Sequence, residues 1–188
     1  MPADLFYFIS TLPTLRWSEK APLSYANFME RCAENLGDDY AQKLSLLQLL
    51  PSETPKSLIS RQWLEFEAFV RNTVAEFRKT KLRRQNVVFT RHETSHLSPS
   101  DAKRIEEIMA INSPLERENA LDLFRWKYLD DLAATHFYDD SLLEIYALKL
   151  LLLEKQASRQ LVQGQKAFAT LMETGLQKAR EVRREDQA

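Results

Sequence analysis

The chain has 188 residues, of which 26 are basic and 27 acidic, so its formal net charge is −1 at pH 7. This balance does not indicate a global attraction to nucleic acid or to an anionic membrane. Three glycines argue against a turn-rich all-β fold, and the single cysteine, Cys32, excludes an internal disulfide and is typical of a reducing cytosol. No apolar stretch is long enough to predict a transmembrane helix or direct membrane insertion.

The first residues predict a short extended arm and then a helix. The apolar run Leu5–Ile9 has no helical spacing, so it predicts a short buried strand or an extended arm. Pro13 ends this run, and the predicted N-terminal arm covers residues 1–15. Ser24 is a suitable N-cap and Gly37 occupies a favoured stop position, which predicts a helix between them. Its apolar face carries Tyr25, Phe28, Met29 and Cys32.

Two further helices are predicted before the middle of the chain. Asp38 begins a short one that continues to Leu50 and is closed by Pro51. The segment from Leu58 to Arg84 predicts a long amphipathic helix, because its apolar residues recur at helical spacing. These are Trp63, Phe66, Val70, Val74 and Phe77. The basic end of this helix is typical of a solvated C-terminus, where cations complement the helix dipole.

Three later helix starts share one signature, a serine cap with an acidic residue three positions on. The serines are Ser98, Ser113 and Ser141, and the first two are followed by proline, whose missing N–H costs nothing at the first helical position. They predict helices at 99–112, 114–134 and 142–184.

The last of these helices carries a seam of residues at steps of three and four. The seam consists of Leu143, Tyr146, Leu150, Leu153, Ala157, Leu161, Gly164, Phe168, Leu171, Gly175, Ala179 and Val182. Because both glycines lie on it, another helix can approach closely there. The periodicity favours a continuous or gently bent helix, and a kink or turn at Gly164 is the alternative.

Residues 92–96 form a literal H-E-x-x-H motif, which can mark a zinc peptidase. Its flank is rich in β-branched residues and favours an extended chain, and Ser98-Pro99 starts a new helix immediately afterwards. In an extended chain His92 and His96 lie roughly 13 Å apart, too far to share a zinc ion. The motif therefore predicts a polar linker over 84–98, and a zinc metallopeptidase is the least favoured hypothesis for function.

Other patterns predict no catalytic, cofactor or metal site. Cys32 lies on an apolar helix face, which is typical of a buried structural thiol. The three adjacent aspartate pairs, at 38–39, 130–131 and 139–140, do not face each other on a helix and build no acid–base pair by adjacency alone. No glycine loop for phosphate is present.

A group of aromatic residues surrounds the predicted corner at 134–141. It contains Trp126, Tyr128, Phe137 and Tyr138. Core packing where two helices meet is the favoured interpretation, since aromatic side chains are normally core residues first. The functional alternative is a hot spot for a partner protein, with Arg125 and Lys127 as its polar rim.

Together these elements predict an all-α protein, one elongated bundle of long helices over residues 1–188. The predicted domain comprises the extended arm at 1–15, a helical body over 24–184 and the linker at 84–98.

Several segments of this chain resemble a known family. They are "LFYFISTLPTL" at 5–15 and, within 113–155, "LERE", "RWKYLDDL", "HFYDD" and "YALKLLLLEK". They resemble a bacterial family of unassigned function that is usually encoded among V-type ATPase subunits. Members of that family look like diverged relatives of the C-type subunit of V/A-type ATPases, which is called the d-type subunit in eukaryotes.

The resemblance implies a mechanical role without enzymatic activity or cofactor. The C-type subunit is an all-helical adaptor between the central stalk and the membrane rotor, it carries torque, and it binds no nucleotide. The implied partners are stalk or membrane-ring subunits, and the implied location is the cytoplasmic face of the cell membrane. This chain is short for a complete C-type subunit, which is built from three similar helical units. The alternative function is a self-associating scaffold, a homo-oligomer that uses the seam at 143–182.

Overall fold

The computed structural model describes residues 3–51, 55–82, 98–159, 170–172 and 174. Its regular structure within these ranges is α-helical, which confirms the predicted all-α class. The helices are α1 (Ala3–Thr11), α2 (Tyr25–Leu36), α3 (Asp38–Ser45), α4 (Leu58–Leu82), α5 (Pro99–Met109), α6 (Pro114–Ala133) and α7 (Asp140–Ala157). The chain divides into two compact units, Met1–Glu154 and Lys155–Ala188, where the sequence predicts a single domain.

The N-terminal segment is helical, so the predicted extended arm is wrong. Leu5 and Phe8 are buried on one face of α1, with Leu12 partly buried one turn further on, whereas Phe6 and Tyr7 are exposed. A run of five apolar residues is too short to reveal which of its members face the core. Contact with the rest of the first unit decides the matter.

Local capping signals behave mostly as predicted. Ser24 accepts a hydrogen bond from the Asn27 backbone N–H, and Ser113 accepts one from Glu116. Ser98 begins α5 with the reciprocal capping box. Gly37 has φ of 95°, a conformation that L side chains rarely adopt, and it ends α2 immediately before α3.

The predicted cap Ser141 is wrong by two residues. Helix α7 begins at Asp140, and the Leu142 backbone N–H donates to Oδ1 of Asp139 at 3.1 Å. Asp139 therefore serves as the N-cap. Aspartate and serine are equally good caps, so the local pattern offered two starts.

Three helices end three or more residues earlier than predicted. Helix α5 stops at Met109 rather than at residue 112. Helix α3 stops at Ser45 rather than Leu50, and the Gln48 carbonyl accepts a hydrogen bond from the Trp63 indole at 3.1 Å. Helix α7 stops at Ala157, where Ser158 Oγ donates to the Lys155 carbonyl at 2.8 Å. Serine side chains compete in this way for backbone groups. The continuous helix over 142–184 is therefore wrong at residue 158.

The rest of the predicted seam lies outside the described residues, apart from Leu171, which is exposed. Leu161, Gly164, Phe168, Gly175, Ala179 and Val182 belong to that undescribed part. Residues 83–97 lie outside the described ranges as well. They include almost all of the predicted linker, with His92 and His96. The alternative of a turn at Gly164 and the zinc hypothesis stay untested predictions.

Helix α7 is a core helix of the first unit up to its residue 154. Three seam residues, Leu143, Leu150 and Leu153, are buried there, and Tyr146 packs its ring 5.2 Å from that of Phe28. Other faces of α7 are buried too, through Ile145, Ala147, Leu148 and Leu152. A helix that is apolar on most of its circumference belongs in a core. The seam is consequently covered by its own chain at these positions, whereas Ala157 is exposed.

No helix within the described ranges is both long and apolar enough to cross a membrane.

Candidate functional site

Arg125 lies inside the first unit and does not form a surface rim. Its guanidinium binds both carboxylate oxygens of Glu67 on α4, at 2.5 and 3.1 Å, and Oδ1 of Asp122 at 2.9 Å. All three residues are buried. Burial lowers the pKa of Arg125, but the hydrogen bonds and charges of the two carboxylates outweigh this effect and raise it above its ordinary value.

This buried ion-pair network is structural in character. The arginine engages Glu67 through two parallel hydrogen bonds, the geometry that makes such pairs strong and specific. With both carboxylates bound to the same cation, neither is set up as a general base. The network joins α4 to α6 across 58 residues of sequence.

The aromatic residues of α6 belong mainly to the core. Trp126 is buried, with its ring 5.5 Å from that of Trp17 and 5.2 Å from Lys149 Nζ. Tyr128 is half-buried and stacks on Phe66 with ring centroids 4.0 Å apart and planes 6° apart. Of the five residues predicted to bind a partner, Arg125 and Trp126 are therefore buried, and Tyr128 is half-buried against the core.

The other two predicted residues lie at the surface, beside aromatic residues of α1. Phe137 and Tyr138 are 74% and 39% exposed, and Phe6 and Tyr7 are 51% and 70% exposed. The rings of Phe6 and Tyr138 are in contact, with centroids 4.4 Å apart. We call these four residues the aromatic corner. Exposed large apolar residues that form a group commonly mark an interaction site.

The backbone at the aromatic corner is strained. Tyr138 has φ of 54°, in the left-handed region that bulky residues rarely occupy. A hydrogen bond of 2.7 Å between His136 Nδ1 and Asp139 Oδ2 spans this residue. Asp139 also caps α7. Such strain costs about 1–3 kcal/mol and persists only where surrounding contacts impose it. The rings of Phe137 and Tyr138 are both exposed at this strained position.

The segments that supply the aromatic corner are acidic. Residues 3–15 and 130–140 contain five aspartates and no lysine or arginine. Asp130 binds Lys149 Nζ at 2.5 Å, and Asp140 accepts a hydrogen bond from Tyr40 at 2.8 Å. Asp4 and Asp131 are exposed. The electrostatic character of this surface therefore favours a basic partner.

A second feature is a pocket of about 340 Å³ in the first unit. It forms where the end of α3, the turn that follows, the first turn of α4 and helix α7 meet. Its apolar lining includes Leu46, Leu47, Pro51, Pro55 and Trp63. Ser57, Ser60 and Glu144 place polar groups in the same space.

Sequence reasoning missed both the buried network and the pocket. A signal for the network exists, because Glu67 follows Trp63 by four residues and precedes Val70 by three, on the apolar face of α4. An acid at such a position indicates a buried cationic partner. The pocket has no comparable local signal, since its lining comes from four separate segments.

Cys32 and the histidines add no reactive centre to the described part of the chain. Cys32 is fully buried, and burial raises its pKa to about 12, which suits a structural thiol. Within the described ranges, no group of three histidine, cysteine or acidic side chains is arranged to hold a metal ion.

Compared with protein-family models, curated proteins and solved structures, the chain gives no match in any of the three.

Proposed function

We propose that this protein is a non-enzymatic helical adaptor that binds a partner protein through the aromatic corner. The partner in this proposal is a central-stalk or membrane-ring subunit of a bacterial V/A-type ATPase, bound at the cytoplasmic face of the membrane. The observation that carries the proposal is the contact between the exposed rings of Phe6 and Tyr138. It brings together the two segments, 5–15 and 134–140, that also carry part of the family resemblance.

The chemistry of the aromatic corner supports a protein partner. Large aromatic side chains dominate the energetics of interfaces, and a few of them often contribute most of the binding energy. Tyr7 and Phe137 use little of their surface within the chain, so most of it is available to a partner. The hydrogen bond between His136 and Asp139 spans Phe137 and Tyr138 and restrains the backbone that carries both rings, which lowers the entropic cost of association.

The acidic residues in the segments around the aromatic corner favour a basic partner surface. Residues 3–15 and 130–140 contain five aspartates, one of them paired with Lys149, and no lysine or arginine. This charge favours a partner surface that surrounds its apolar contact with basic residues. In this proposal such attraction raises the association rate and weakens as salt increases.

The test is an affinity pull-down of tagged protein from solubilised native membranes, read by mass spectrometry. Wild-type protein should recover ATPase stalk and ring subunits. A Tyr7→Ser/Phe137→Ser variant should lose them, because truncating a central interface aromatic commonly costs about 2 kcal/mol, or roughly a thirtyfold weaker complex. Both side chains are largely exposed, so the variant should keep the wild-type fold.

Leu115→Ser is the matched control, since Leu115 is another exposed apolar residue, at the start of α6. It should leave the recovery unchanged. Recovery of tagged protein alone, under conditions that keep the ATPase intact, would contradict the ATPase partner. Equal recovery by wild type and the double variant would contradict the aromatic corner as the docking surface.

A further inference from the structure

The pocket beside α7 contains a carboxylate with unused acceptor capacity. Ser57 Oγ donates a hydrogen bond to Glu144 Oε2, and Ser57 is held in place because it also accepts the Ser60 backbone N–H at 3.0 Å. A carboxylate offers about four lone-pair sites. Within the described residues this single hydrogen bond is the one that reaches Glu144. The remaining capacity faces the pocket that Glu144 lines.

The surroundings of Glu144 do not neutralise its charge. Burial raises its pKa, the Ser57 hydrogen bond opposes that effect, and the charges of Asp140 and Asp139 raise it further. Two lysines also line the pocket, but neither forms an ion pair with Glu144 among the described residues. Lys43 places Nζ 5.3 Å from the centre of the Tyr40 ring, and the Lys56 side chain is exposed.

The remaining walls suit an apolar body rather than a second charge. Leu46, Leu47 and Trp63 line the space, together with Pro51 and Pro55. The volume of about 340 Å³ falls in the range of small-molecule sites, roughly 300–1,000 Å³. Such sites are mostly apolar, with a few polar groups that fix the orientation of the ligand.

We infer that this pocket binds a primary ammonium group carried on a small apolar body, with Glu144 accepting its N–H donors. The ammonium supplies the cation that the carboxylate lacks, and the apolar walls cover the rest of the ligand. A free alkyl- or arylamine and a lysine side chain of a peptide share this chemistry. The site is separate from the aromatic corner and does not depend on the ATPase proposal.

The test is a titration of the full chain followed by two-dimensional amide NMR, with 2-phenylethylamine as the probe. The resonances of residues around Glu144 and Trp63 should shift and saturate. The alcohol 2-phenylethanol has the same apolar body without the charge. It should bind at least about tenfold more weakly than the amine, since a charge-assisted hydrogen bond is roughly twice as strong as a neutral one. This comparison needs no variant protein.

Glu144→Gln removes the charge while its amide oxygen can still accept from Ser57, and it should weaken amine binding by about tenfold or more. Glu106→Gln makes the same change at an exposed position outside the pocket and should leave binding unchanged. Nα-acetyl-lysine amide is titrated in parallel. Tighter binding of this compound would identify a lysine side chain of a peptide as the ligand, and tighter binding of 2-phenylethylamine would identify a free amine. Equal binding of alcohol and amine, full retention in Glu144→Gln, or no saturable shifts with either amine would overturn the inference.

Discussion

Replacing Arg125 with methionine tests the buried network most directly. Methionine fills a similar volume but leaves Glu67 and Asp122 without their shared cation, and both carboxylates are fully buried. Breaking a buried ion pair by removing one partner costs about 3–5 kcal/mol, because the charge that remains is uncompensated. Glu67 loses both of its hydrogen bonds to the guanidinium, so we expect a loss within that range.

Urea unfolding followed by far-ultraviolet circular dichroism measures this loss. With a slope of about 2 kcal/mol per molar urea, in the middle of the usual range for a small domain, a loss of about 3–5 kcal/mol lowers the midpoint by about 1.5–2.5 M.

The matched control for this experiment is Arg104→Met. Arg104 and Glu107 form a surface pair at 3.8 Å, with side chains 60% and 56% exposed. Pairs of that kind contribute about 0–1 kcal/mol. If Arg125→Met costs no more than Arg104→Met, the described burial of the network is refuted.

Three further predictions concern single positions in the first unit. Cys32 is fully buried and its pKa is raised to about 12, so in native protein at pH 8 it should not react with a disulfide reagent. In urea-unfolded protein it should react at once. Prompt labelling of the native protein would contradict the burial. Gly37→Ala should lower the free energy of unfolding by about 1 kcal/mol, because φ of 95° is strained for alanine. The cost does not come from a clash, since no atom lies within 4 Å of an added Cβ. An unchanged urea midpoint would refute this prediction. Burial raises the pKa of Glu144 in the folded state, so its ionisation opposes folding above the ordinary value of 4.5. Glu144→Gln should therefore raise the melting temperature at pH 7. This gain should fade as pH falls towards 4.5 and be absent below it, so a gain that grows toward acid pH would contradict the argument.

The candidate surface could be predicted only in part. Phe137 and Tyr138 stand out in the sequence as aromatics beside a corner, and α1 is rich in aromatics as well. Nothing local shows that Phe6 and Tyr138 touch, since they are far apart in the chain. Trp126 and Tyr128 look equally suitable for a partner on composition. Only their packing against Trp17 and Phe66 shows that Trp126 is buried and Tyr128 half-buried.

The sequence by itself determined the all-α class and most helix starts. Capping is a short-range matter, because a serine hydroxyl or an aspartate carboxylate reaches N–H groups only two or three residues away. Ser24, Ser98 and Ser113 could for that reason be read correctly from their immediate neighbours. Gly37 belongs to the same class, since its backbone freedom is a property of the residue.

Tertiary structure decided the rest. It made residues 3–11 a helix and buried Arg125 against an acid 58 residues away. It also paired the Gln48 carbonyl, just beyond the end of α3 at Ser45, with the Trp63 indole. Each of these outcomes depends on groups from different helices meeting in a water-poor space, where an unpaired charge or donor is costly. Local spacing records which residues share a helix face, but only the packing of helices selects the partner that each face meets.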